Sequence, residues 1–398
     1  MRILFITPTF PNLLDPIRGI PNYQTARALA RNHQVVVIAH LSWLDEVRRR
    51  KHGKNLERLK NVDGIEVHHP RYYYPPGTIR IAYGWFLWRS IRSTVMGVLG
   101  RFQPDVVLAG WVHPEGDSAL RAAALAKVPC VVWSGGSDVL VLPRDPARRR
   151  CIVDVLGRSD AVVCVSEHMR KAISDLGVPD GDIHVVRNGL DGSCFYPADR
   201  SIARQRLGLP SEGTVLLWVG RMVPVKGVDV LIDACGALTI GGLDIRLCLV
   251  GDGPLRRALA ARAAQVGLGR RVMFIGDVFQ ETLADWYRAA DLTVLPSYSE
   301  GVPNVLCESI SCGTPFVASN VGGIPEIADS QLDRLVAPGD ALGLAGVIRE
   351  RLLLENAPAR ARLPGTWEDH ALNMEAVFAQ VIATRAQAQA VDGARHNR

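Results

Sequence analysis

The sequence predicts an α/β protein of two domains, each built on a doubly wound parallel sheet. Three observations support this prediction. The chain has 398 residues, which is long for a single domain. Short runs rich in Val and Ile alternate with helix-length segments, as they do in parallel sheets covered by helices on both faces. The alternation is interrupted over residues 187–213, where Gly, Asp and Pro are frequent, so this segment is expected to link the domains.

The predicted strands are short apolar runs bounded by polar or glycine-containing loops. Those of the first domain are Ile3–Ile6, Val35–Ala39, Ile65–Val67, Val106–Ala109, Cys130–Trp133, Ala161–Val165 and Ile183–Val186. Those of the second domain are Val215–Val219, Ile245–Val250, Val272–Ile275, Leu292–Leu295, Phe316–Ala318 and Arg334–Val336. Ligands of such folds bind beyond the carboxyl ends of the strands, so a cleft between two facing domains is expected.

The domain boundaries follow from the same pattern. We expect a first domain over residues 1–190 and a second over 191–366. A final helix over 367–385 is expected to cross back to the first domain, and residues 386–398 are expected to be disordered.

Composition narrows the class of protein. The formal net charge of +6 and a pI near 9.0 suit anionic partners such as phosphates or acidic lipid headgroups, and no nucleic-acid-binding module is recognisable. The eight cysteines are scattered without a CxxC pair, which indicates buried free thiols and not disulfides or zinc ligands. No apolar run reaches the roughly 20 residues of a membrane span, and the first residues resemble a strand and not a signal peptide. A cytoplasmic protein is therefore expected.

The stretch from Asp291 to Glu326 organises the expected chemistry. After a strand, a polar loop containing Glu300 leads into a short helix that is predicted to begin near Pro303 and to end at Gly313, and Glu308 lies inside that helix. The unpaired amides at the helix start form a site suited to a phosphate or diphosphate. The segment that carries them is Gly301, Val302, Pro303, Asn304 and Val305.

A ligand with phosphate in its middle and hydroxyls at both ends suits this arrangement, and a nucleotide-sugar is such a ligand. Glu300 would accept hydrogen bonds from the sugar, and Glu308 would accept two from the ribose diol. Spacing alone leaves a second interpretation open, in which Glu300 is a solvated loop acid and Glu308 caps a neighbouring amide. The run VGRMVPVKG places Arg221 and Lys226 after another predicted strand, where both cations could reach a diphosphate.

Five segments together resemble a known family. They are VVRNGLDGSCFYP, VGRMVPVKG, LVGDGPLRRAL, FIGDV and EGVPNVLCESISCGTPFVASNVGGIPE. In this order they are similar to the motifs of retaining GT-B glycosyltransferases of family 4, and WVHPEGDSAL with SGGSDVLVLP is most similar to the bacterial surface-polysaccharide type. The resemblance implies that the second domain binds the nucleotide-sugar donor and the first a saccharide or lipid-linked saccharide acceptor.

The resemblance also implies roles for single residues. Glu300 and Glu308 match the paired glutamates of the family, and Arg221 and Lys226 match its diphosphate-binding pair. The nucleotide base would lie near Gly251, Gly253 and residues 274–278. Since these cations and the helix amides would neutralise the diphosphate, no metal and no other cofactor is expected. The Asp180-Gly181-Asp182 triplet has metal-ligand spacing but is interpreted as a turn.

The first domain departs from the family pattern at two places. The usual Gly-Gly pair after the first strand is replaced by Arg18 and Gly19, where Gly19 preserves close backbone approach and Arg18 either contacts phosphate or is solvated. The usual histidine before the Gly-Ser-Asp run is replaced by Gly135. His113, which follows the Val106–Ala109 strand, either faces the same cleft, as a candidate catalytic residue, or is a solvated loop histidine.

Two interpretations of the whole chain therefore remain. One is a glycosyltransferase, and the other is a non-catalytic subunit that binds nucleotide-sugar or polysaccharide in a synthesis complex. A basic cluster at residues 48–54 and a run of aromatic and arginine residues over 71–92 also suit peripheral contact with an anionic membrane at its inner face, although a solvated helix followed by an ordinary core helix explains them as well.

Overall fold

A computed structural model describes residues 1–12, 19–50, 57–354, 360 and 363–396 of the chain. The chain forms two compact units. Unit 1 comprises Met1–Asn188 and Trp367–Arg398, and unit 2 comprises Gly189–Thr366. Unit 2 is thus inserted between two pieces of unit 1.

Unit 1 alternates strands and helices along the chain. Its strands are β1 (Arg2–Thr7), β2 (Gln34–Ala39), β3 (Leu41–Ser42), β4 (Leu59–Val62), β5 (Ile65–His68), β6 (Arg71–Tyr72), β7 (Val106–Ala109), β8 (Cys130–Trp133), β9 (Ala161–Cys164) and β10 (Ile183–Val185). Its helices are α1 (Ile20–Leu29), α2 (Trp43–Arg50), α3 (Tyr83–Phe102), α4 (Glu115–Ala126), α5 (Ser137–Leu140), α6 (Pro146–Arg158), α7 (Glu167–Ser174) and, from the end of the chain, α14 (Trp367–His396).

The main sheet of unit 1 has the order β10-β9-β8-β7-β1-β2-β5-β4. Its strand pairs are parallel except for β4 and β5, which are antiparallel. The central strands are apolar on both faces because helices cover both sides, and Phe5 and Ile6 of β1 have no exposed surface. The chain moves from β1 outward on one side and later returns to β7 on the other, so β1 and β7 form the topological switch point.

Unit 2 repeats this architecture with a smaller sheet. Its strands are β11 (Thr214–Val219), β12 (Ile245–Val250), β13 (Val272–Gly276), β14 (Leu292–Leu295), β15 (Phe316–Ser319) and β16 (Arg334–Val336). Its helices are α8 (Arg200–Arg206), α9 (Val228–Ile240), α10 (Arg256–Gln265), α11 (Gln280–Ala289), α12 (Asn304–Ser311) and α13 (Ala341–Leu352). The sheet order is β13-β12-β11-β14-β15-β16 and every pair is parallel, which places the switch point between β11 and β14.

The predicted fold class is confirmed, and every predicted strand is present within two residues of its expected bounds. The strands β3, β4 and β6 were not predicted. β3 and β6 have two residues each, too few for a pattern, and β4 has the sequence LKNV, which carries no apolar run. The antiparallel β4 lies at the sheet edge, where polar strands are common.

Helix α14 belongs to the core of unit 1. Met374 and Phe378 have no exposed surface and pack in the same cluster as Phe5 and Leu29. The helix continues to His396, whereas the sequence predicted disorder from residue 386. The segment is rich in Ala, Gln and Arg, and these strong helix formers favour continuation over disorder.

His370 joins α14 to the rest of unit 1. Its Nδ1 lies 2.9 Å from the Arg187 carbonyl oxygen, and its Nε2 lies 3.0 Å from the Thr25 hydroxyl oxygen. Because a carbonyl can only accept, Nδ1 carries the proton and Nε2 accepts from Thr25. Burial lowers the pKa of His370 to about 4, so the ring is neutral at physiological pH.

Candidate active site

Two loops meet at the switch point of unit 2. The loop after β11 contains a 3-10 helix, Pro224–Lys226, and the loop after β14 contains Glu300. The amide of Tyr298 donates to the Val225 carbonyl at 2.8 Å, which joins the two loops through their backbones. The Lys226 Nζ then lies 2.6 Å from the Glu300 Oε1, and only 9% of the Glu300 side chain is exposed. These two predicted catalytic residues are therefore in direct contact.

The loop after β15 packs against the loop that carries Glu300. Gly322, which follows β15, has φ 58° and lies so close that a Cβ there would be 1.9 Å from the Glu300 carbonyl oxygen. The neighbouring Gly323 amide donates to the Gly301 carbonyl at 2.7 Å. A side chain at residue 322 would displace the acidic loop, so Gly322 and Gly323 set the position of Glu300. NVGGIPE is part of the family motif, but the motif alone assigns no role to these glycines.

The predicted anion site lies at the start of α12. The helix begins at Asn304, with Pro303 as the residue before it, as expected. Within the described part of the chain, the amides of Gly301, Val302 and Val305 donate to no backbone carbonyl. Arg221, on the loop after β11, is exposed and has no carboxylate within ion-pair distance among the described residues. An exposed guanidinium and free amides leave donors for an anionic ligand.

Glu308 lies one turn inside α12 and contacts α11. The Tyr287 hydroxyl donates to its Oε2 at 2.8 Å. Burial raises the pKa of Glu308 to about 7, and the Tyr287 hydrogen bond works in the opposite direction because it stabilises the carboxylate. The carboxyl group is therefore poised between its neutral and ionised forms near neutral pH. Tyr287 was missed in the sequence analysis because it is 21 positions away on another helix.

The segments expected near the nucleotide base lie at the carboxyl ends of β12 and β13. Gly253 packs against the loop after β11, since a Cβ there would be 2.5 Å from the Met222 carbonyl oxygen. Arg256 lies over the Phe274 ring at 5.6 Å from its centroid and donates to the Phe274 carbonyl. These contacts hold the two segments together, and the position of a base remains a prediction.

In unit 1, Gly19 directly precedes α1. Its φ is 71°, and a Cβ there would be 2.6 Å from the Thr9 carbonyl oxygen, so only glycine fits this close approach. Asn22 of α1 donates to the Thr7 hydroxyl at 2.7 Å and to the Thr9 carbonyl at 2.8 Å, which fixes the end of β1. Arg18 lies outside the described residues.

His113 follows β7, at the switch point of unit 1. It is partly exposed and lines a small pocket, and within the described ranges no side chain forms a hydrogen bond with its ring. Burial lowers the pKa of His113 below its ordinary value, so the imidazole is neutral at physiological pH. Units 1 and 2 each carry part of the predicted set: Gly19 and His113 in one, and the remaining site residues in the other.

The glycine at residue 135 has a steric cause in this chain. The Trp111 indole lies over Gly135, where a Cβ would be 2.6 Å from the ring atom Cζ3. No side chain can occupy residue 135 while Trp111 keeps its position. Asp138, with no exposed surface, accepts from the Gly136 amide at 2.8 Å and the Val112 amide at 3.2 Å, and so ties this loop to the one after β7.

Neither a metal-binding cluster nor a membrane-spanning helix is present among the described residues. In the part of the chain that the structure describes, no group of three or more His, Cys, Asp or Glu side chains could hold a metal ion. Residues Asp180–Asp182 form a turn of 3-10 helix before β10. Of the described helices, none combines the length and the hydropathy needed to cross a membrane.

Two family models match the chain, one in each half. A model for Glycosyltransferase Family 4 matches residues 22–193, and a model for glycosyl transferases group 1 matches residues 213–353, which include Arg221, Lys226, Glu300 and Glu308. A relative from Bacillus subtilis, named as the teichuronic acid biosynthesis glycosyltransferase TuaC, is 28% identical over 87% of this chain and 88% of that protein. D-inositol 3-phosphate glycosyltransferase 2 of Catenulispora acidiphila is 41% identical over 56% of this chain. The alignment spans little more than half, 55%, of that second relative.

Solved structures of glycosyltransferases have the same fold. Sucrose-phosphate synthase from Thermosynechococcus elongatus superposes with a TM-score of 0.73 at 21% identity, covering 99% of this chain and 100% of that chain. HepE of Anabaena in complex with UDP-glucose superposes with a TM-score of 0.70 at 20% identity, covering 98% and 100%. The matching models and the shared two-sheet architecture lead to one conclusion: the chain has the GT-B fold and carries a Glycosyltransferase Family 4 domain followed by a glycosyl transferases group 1 domain.

Proposed function

We propose that this chain transfers a hexose from a nucleotide-sugar to an acceptor hydroxyl with retention of anomeric configuration, in the assembly of a cell-surface polysaccharide or glycolipid. The observation that carries the proposal is the 2.6 Å contact between Lys226 and Glu300 at the switch point of unit 2. A cation and an acid from two loops are brought together where ligands of doubly wound sheets bind. A nucleotide-sugar needs both, since its diphosphate is anionic and its sugar carries hydroxyls.

The cationic groups would act on the leaving group. As the bond between sugar and phosphate breaks, negative charge builds on the nucleoside diphosphate. Lys226, the exposed Arg221 and the free amides of Gly301 and Val302 would stabilise that charge. This set supports a reaction without a metal ion, because the neutralising charges come from the protein itself.

The two glutamates would hold opposite ends of the donor. Glu300 accepts from Lys226 on one oxygen, which leaves its other oxygen for a sugar hydroxyl. Glu308 would accept from the two ribose hydroxyls, and this requires its ionised form. Since two hydroxyl donors stabilise a carboxylate, donor binding would lower the pKa of Glu308 from about 7 and release a proton.

Retention would follow if the acceptor hydroxyl approaches from the face that the diphosphate leaves. A donor phosphate oxygen would take the hydroxyl proton, so the proposal needs no protein base. His113, neutral and partly exposed, is the candidate in unit 1 for orienting the reacting sugar. Gly19 would allow the backbone after β1 to approach the donor phosphates.

The relatives support the substrate class. TuaC is named for teichuronic acid biosynthesis, and the Anabaena HepE structure contains UDP-glucose. A nucleotide-sugar donor and a polysaccharide-type acceptor are the simplest extension to this chain. The alternative, a non-catalytic binding subunit, was motivated by Gly135 and the altered Gly-Gly pair. The Trp111 ring gives Gly135 a steric reason, and no observation favours the alternative.

The proposal is tested with the purified chain and a panel of nucleotide-sugars. We expect one donor to raise the unfolding temperature, because a ligand at 100 times its dissociation constant adds about 2.7 kcal/mol of stability. The same donor should be hydrolysed slowly without acceptor, with proton NMR detecting the retained anomer first and EDTA leaving the rate unchanged. Turnover of no donor would contradict the enzyme, an inverted product would contradict retention, and loss of activity in EDTA would contradict metal independence.

We also propose peripheral contact with an anionic membrane through α3. Arg89, Arg92 and Met96 are exposed and recur at helical spacing on one face. Tyr72 is buried and does not contribute to this surface. The side chains of the basic cluster at residues 48–54 lie outside the part of the chain that the structure describes. In a sedimentation assay with phosphatidylglycerol vesicles, the wild type should pellet with the vesicles. An Arg89→Glu, Arg92→Glu double variant should stay in the supernatant. An equal pelleted fraction of the wild type and the double variant would contradict this contact surface.

A further inference from the structure

The pocket that contains His113 is an open depression on the surface of unit 1. It has a volume of about 280 Å³ and lies between the starts of α3 and α4 and the middle of α6. Small-molecule sites begin near about 300 Å³, so a ligand of one ring size fits. The residues that line it are Ile81, Gly84, Trp85, His113, Asp117, Arg121, Arg150, Cys151, Asp154 and Val155.

One wall of this pocket is an exposed aromatic ring. Trp85 is 53% exposed, and its indole packs edge-to-face against the Phe86 ring with centroids 5.0 Å apart. An exposed indole in a pocket offers an apolar face that a ligand can cover, and covering it is favourable. The face of a pyranose ring presents C–H groups that can pack on an indole while its hydroxyls point to the sides.

The other walls carry alternating hydrogen-bond donors and acceptors. Asp117 is held by Arg121 at 3.0 Å and enters the pocket because residue 84 has no side chain: a Cβ there would lie 2.7 Å from the Asp117 Oδ2. The neutral His113 ring offers one donor and one acceptor. Asp154 adds a carboxylate on α6, paired with Arg158 at 2.9 Å.

This combination selects a class of ligand. Every hydroxyl of a sugar both donates and accepts, so carboxylates alone or cations alone would leave half of its hydrogen-bonding capacity unused. An apolar platform with both kinds of polar group at its rim matches a neutral pyranose better than it matches a phosphate or an apolar chain. One lining residue, His113, follows the carboxyl end of β7, and ligands of this fold bind beyond the carboxyl ends of the strands.

We propose that this pocket is a saccharide subsite, in which one pyranose ring of the acceptor stacks on Trp85 and hydrogen-bonds to Asp117 and His113. Its role in transfer rests on the proposed function, whereas saccharide binding itself does not. The subsite would select acceptors by the positions of their hydroxyls, since a sugar lacking one of them leaves a carboxylate without its partner.

Binding is measured first, without any donor. The full chain is labelled with 5-fluorotryptophan, and the fluorine resonance of Trp85 is assigned by its loss in Trp85→Phe. We titrate millimolar methyl glycosides of glucose, galactose, mannose and N-acetylglucosamine, with inorganic phosphate as a separate probe. At least one glycoside is expected to shift the Trp85 resonance to saturation, and Asp117→Asn and Asp154→Asn should each weaken that response.

Controls separate this result from a general effect. Tyr73 of unit 1 is exposed to a similar extent, 51%, and does not line the pocket, so Tyr73→Ala should keep the full response. If no glycoside shifts the Trp85 resonance, or if phosphate does and the glycosides do not, the saccharide subsite is refuted. The two aspartate variants are independent, so misfolding of one leaves the test intact.

Kinetics then distinguish the subsite from the proposed function. With a working donor and acceptor, Trp85→Ala should raise the acceptor KM about tenfold or more, with a smaller effect on kcat at saturating acceptor. Transfer with unchanged acceptor KM in both Trp85→Ala and Asp117→Asn would refute the subsite and leave the proposed function intact. Glycoside binding at Trp85 without turnover of any donor would support the saccharide subsite and contradict the proposed function.

Discussion

The carboxyl group of Glu308 should make the stability of this protein depend on pH in a specific direction. Burial holds the pKa of the folded-state carboxyl near 7, against an ordinary value of 4.5. The folded protein therefore keeps a proton that the unfolded chain has already lost between these two values. Consequently the contribution of Glu308 to the free energy of unfolding falls as pH rises from 4.5 to about 7.

The size of the effect follows from the same pKa. Each pH unit in this window costs the folded state about 1.4 kcal/mol, so the full window from 4.5 to about 7 corresponds to roughly 3.5 kcal/mol as an upper bound. The bound is not reached in full, since part of the Glu308 side chain remains exposed. Glu308→Gln removes the titration and keeps an oxygen that accepts from Tyr287. We expect the variant to equal the wild type below pH 4.5 and to become progressively more stable than it up to about pH 7.

The assay is urea unfolding of both proteins at half-unit steps from pH 4 to 8. Tyr287→Phe serves as the matched control, because losing the hydroxyl donor should raise the folded-state pKa of Glu308 further and extend the window to higher pH, while its lower end stays at 4.5. A stability difference between wild type and Glu308→Gln that does not change with pH would refute the reasoning. So would a difference that grows as the pH falls.

Three further outcomes are expected. Lys226→Ala should lower kcat by about a hundredfold or more with little change in unfolding temperature. The reason is that the substitution removes a positive charge next to the proposed leaving diphosphate. Full activity of the variant would contradict the proposed role of Lys226 in stabilising that diphosphate. Gly135→Ala should lower the free energy of unfolding by about 1–3 kcal/mol in the wild type and by much less in a Trp111→Ala background. Urea unfolding of the single and double variants measures both values. An equal loss of stability in both backgrounds would exclude a clash between the new methyl group and the Trp111 indole. Hydrogen bonds from Arg71 and Arg58 lower the pKa of Glu46 to about 2. The Glu46 carboxylate therefore stabilises the fold above pH 4.5, and this contribution is lost as the pH falls towards 2. Glu46→Gln should therefore be less stable than the wild type at pH 7 and equal to it near pH 2, and a constant difference in acid titration would contradict this.

The fold could be predicted from the sequence because buried parallel strands leave strong local signals. Strands such as β1 and β11 are continuous apolar runs, and a helix start such as Pro303 is visible in a few residues. The Lys226 and Glu300 loops were predicted to lie near one diphosphate, and the structure brings the two side chains into contact. Their spacing of 74 positions carries no such information, so the prediction depended on the family motifs and on the rule that strand ends share an edge.

Other parts of the site depend on packing that leaves no local signal. Tyr287 reaches Glu308 from a neighbouring helix, and Trp111 reaches Gly135 from a neighbouring loop. Each contact joins two residues that are far apart in the sequence, and neither partner carries a motif that predicts the contact. Similarly, nothing in the composition of the segment around Trp85 distinguishes a residue that lines a pocket from one that lies on an open surface.

The return of the chain to unit 1 through α14 has a consequence for synthesis. Phe378 and Met374 complete a core whose other members come from the first half of the chain. A ribosome would deliver all of residues 189–366 before those side chains emerge, so the inserted unit can reach its final structure while the outer one still lacks part of its interior. A stop codon shortly before residue 367 would then leave a properly built unit 2 attached to an incomplete unit 1 that is prone to aggregation.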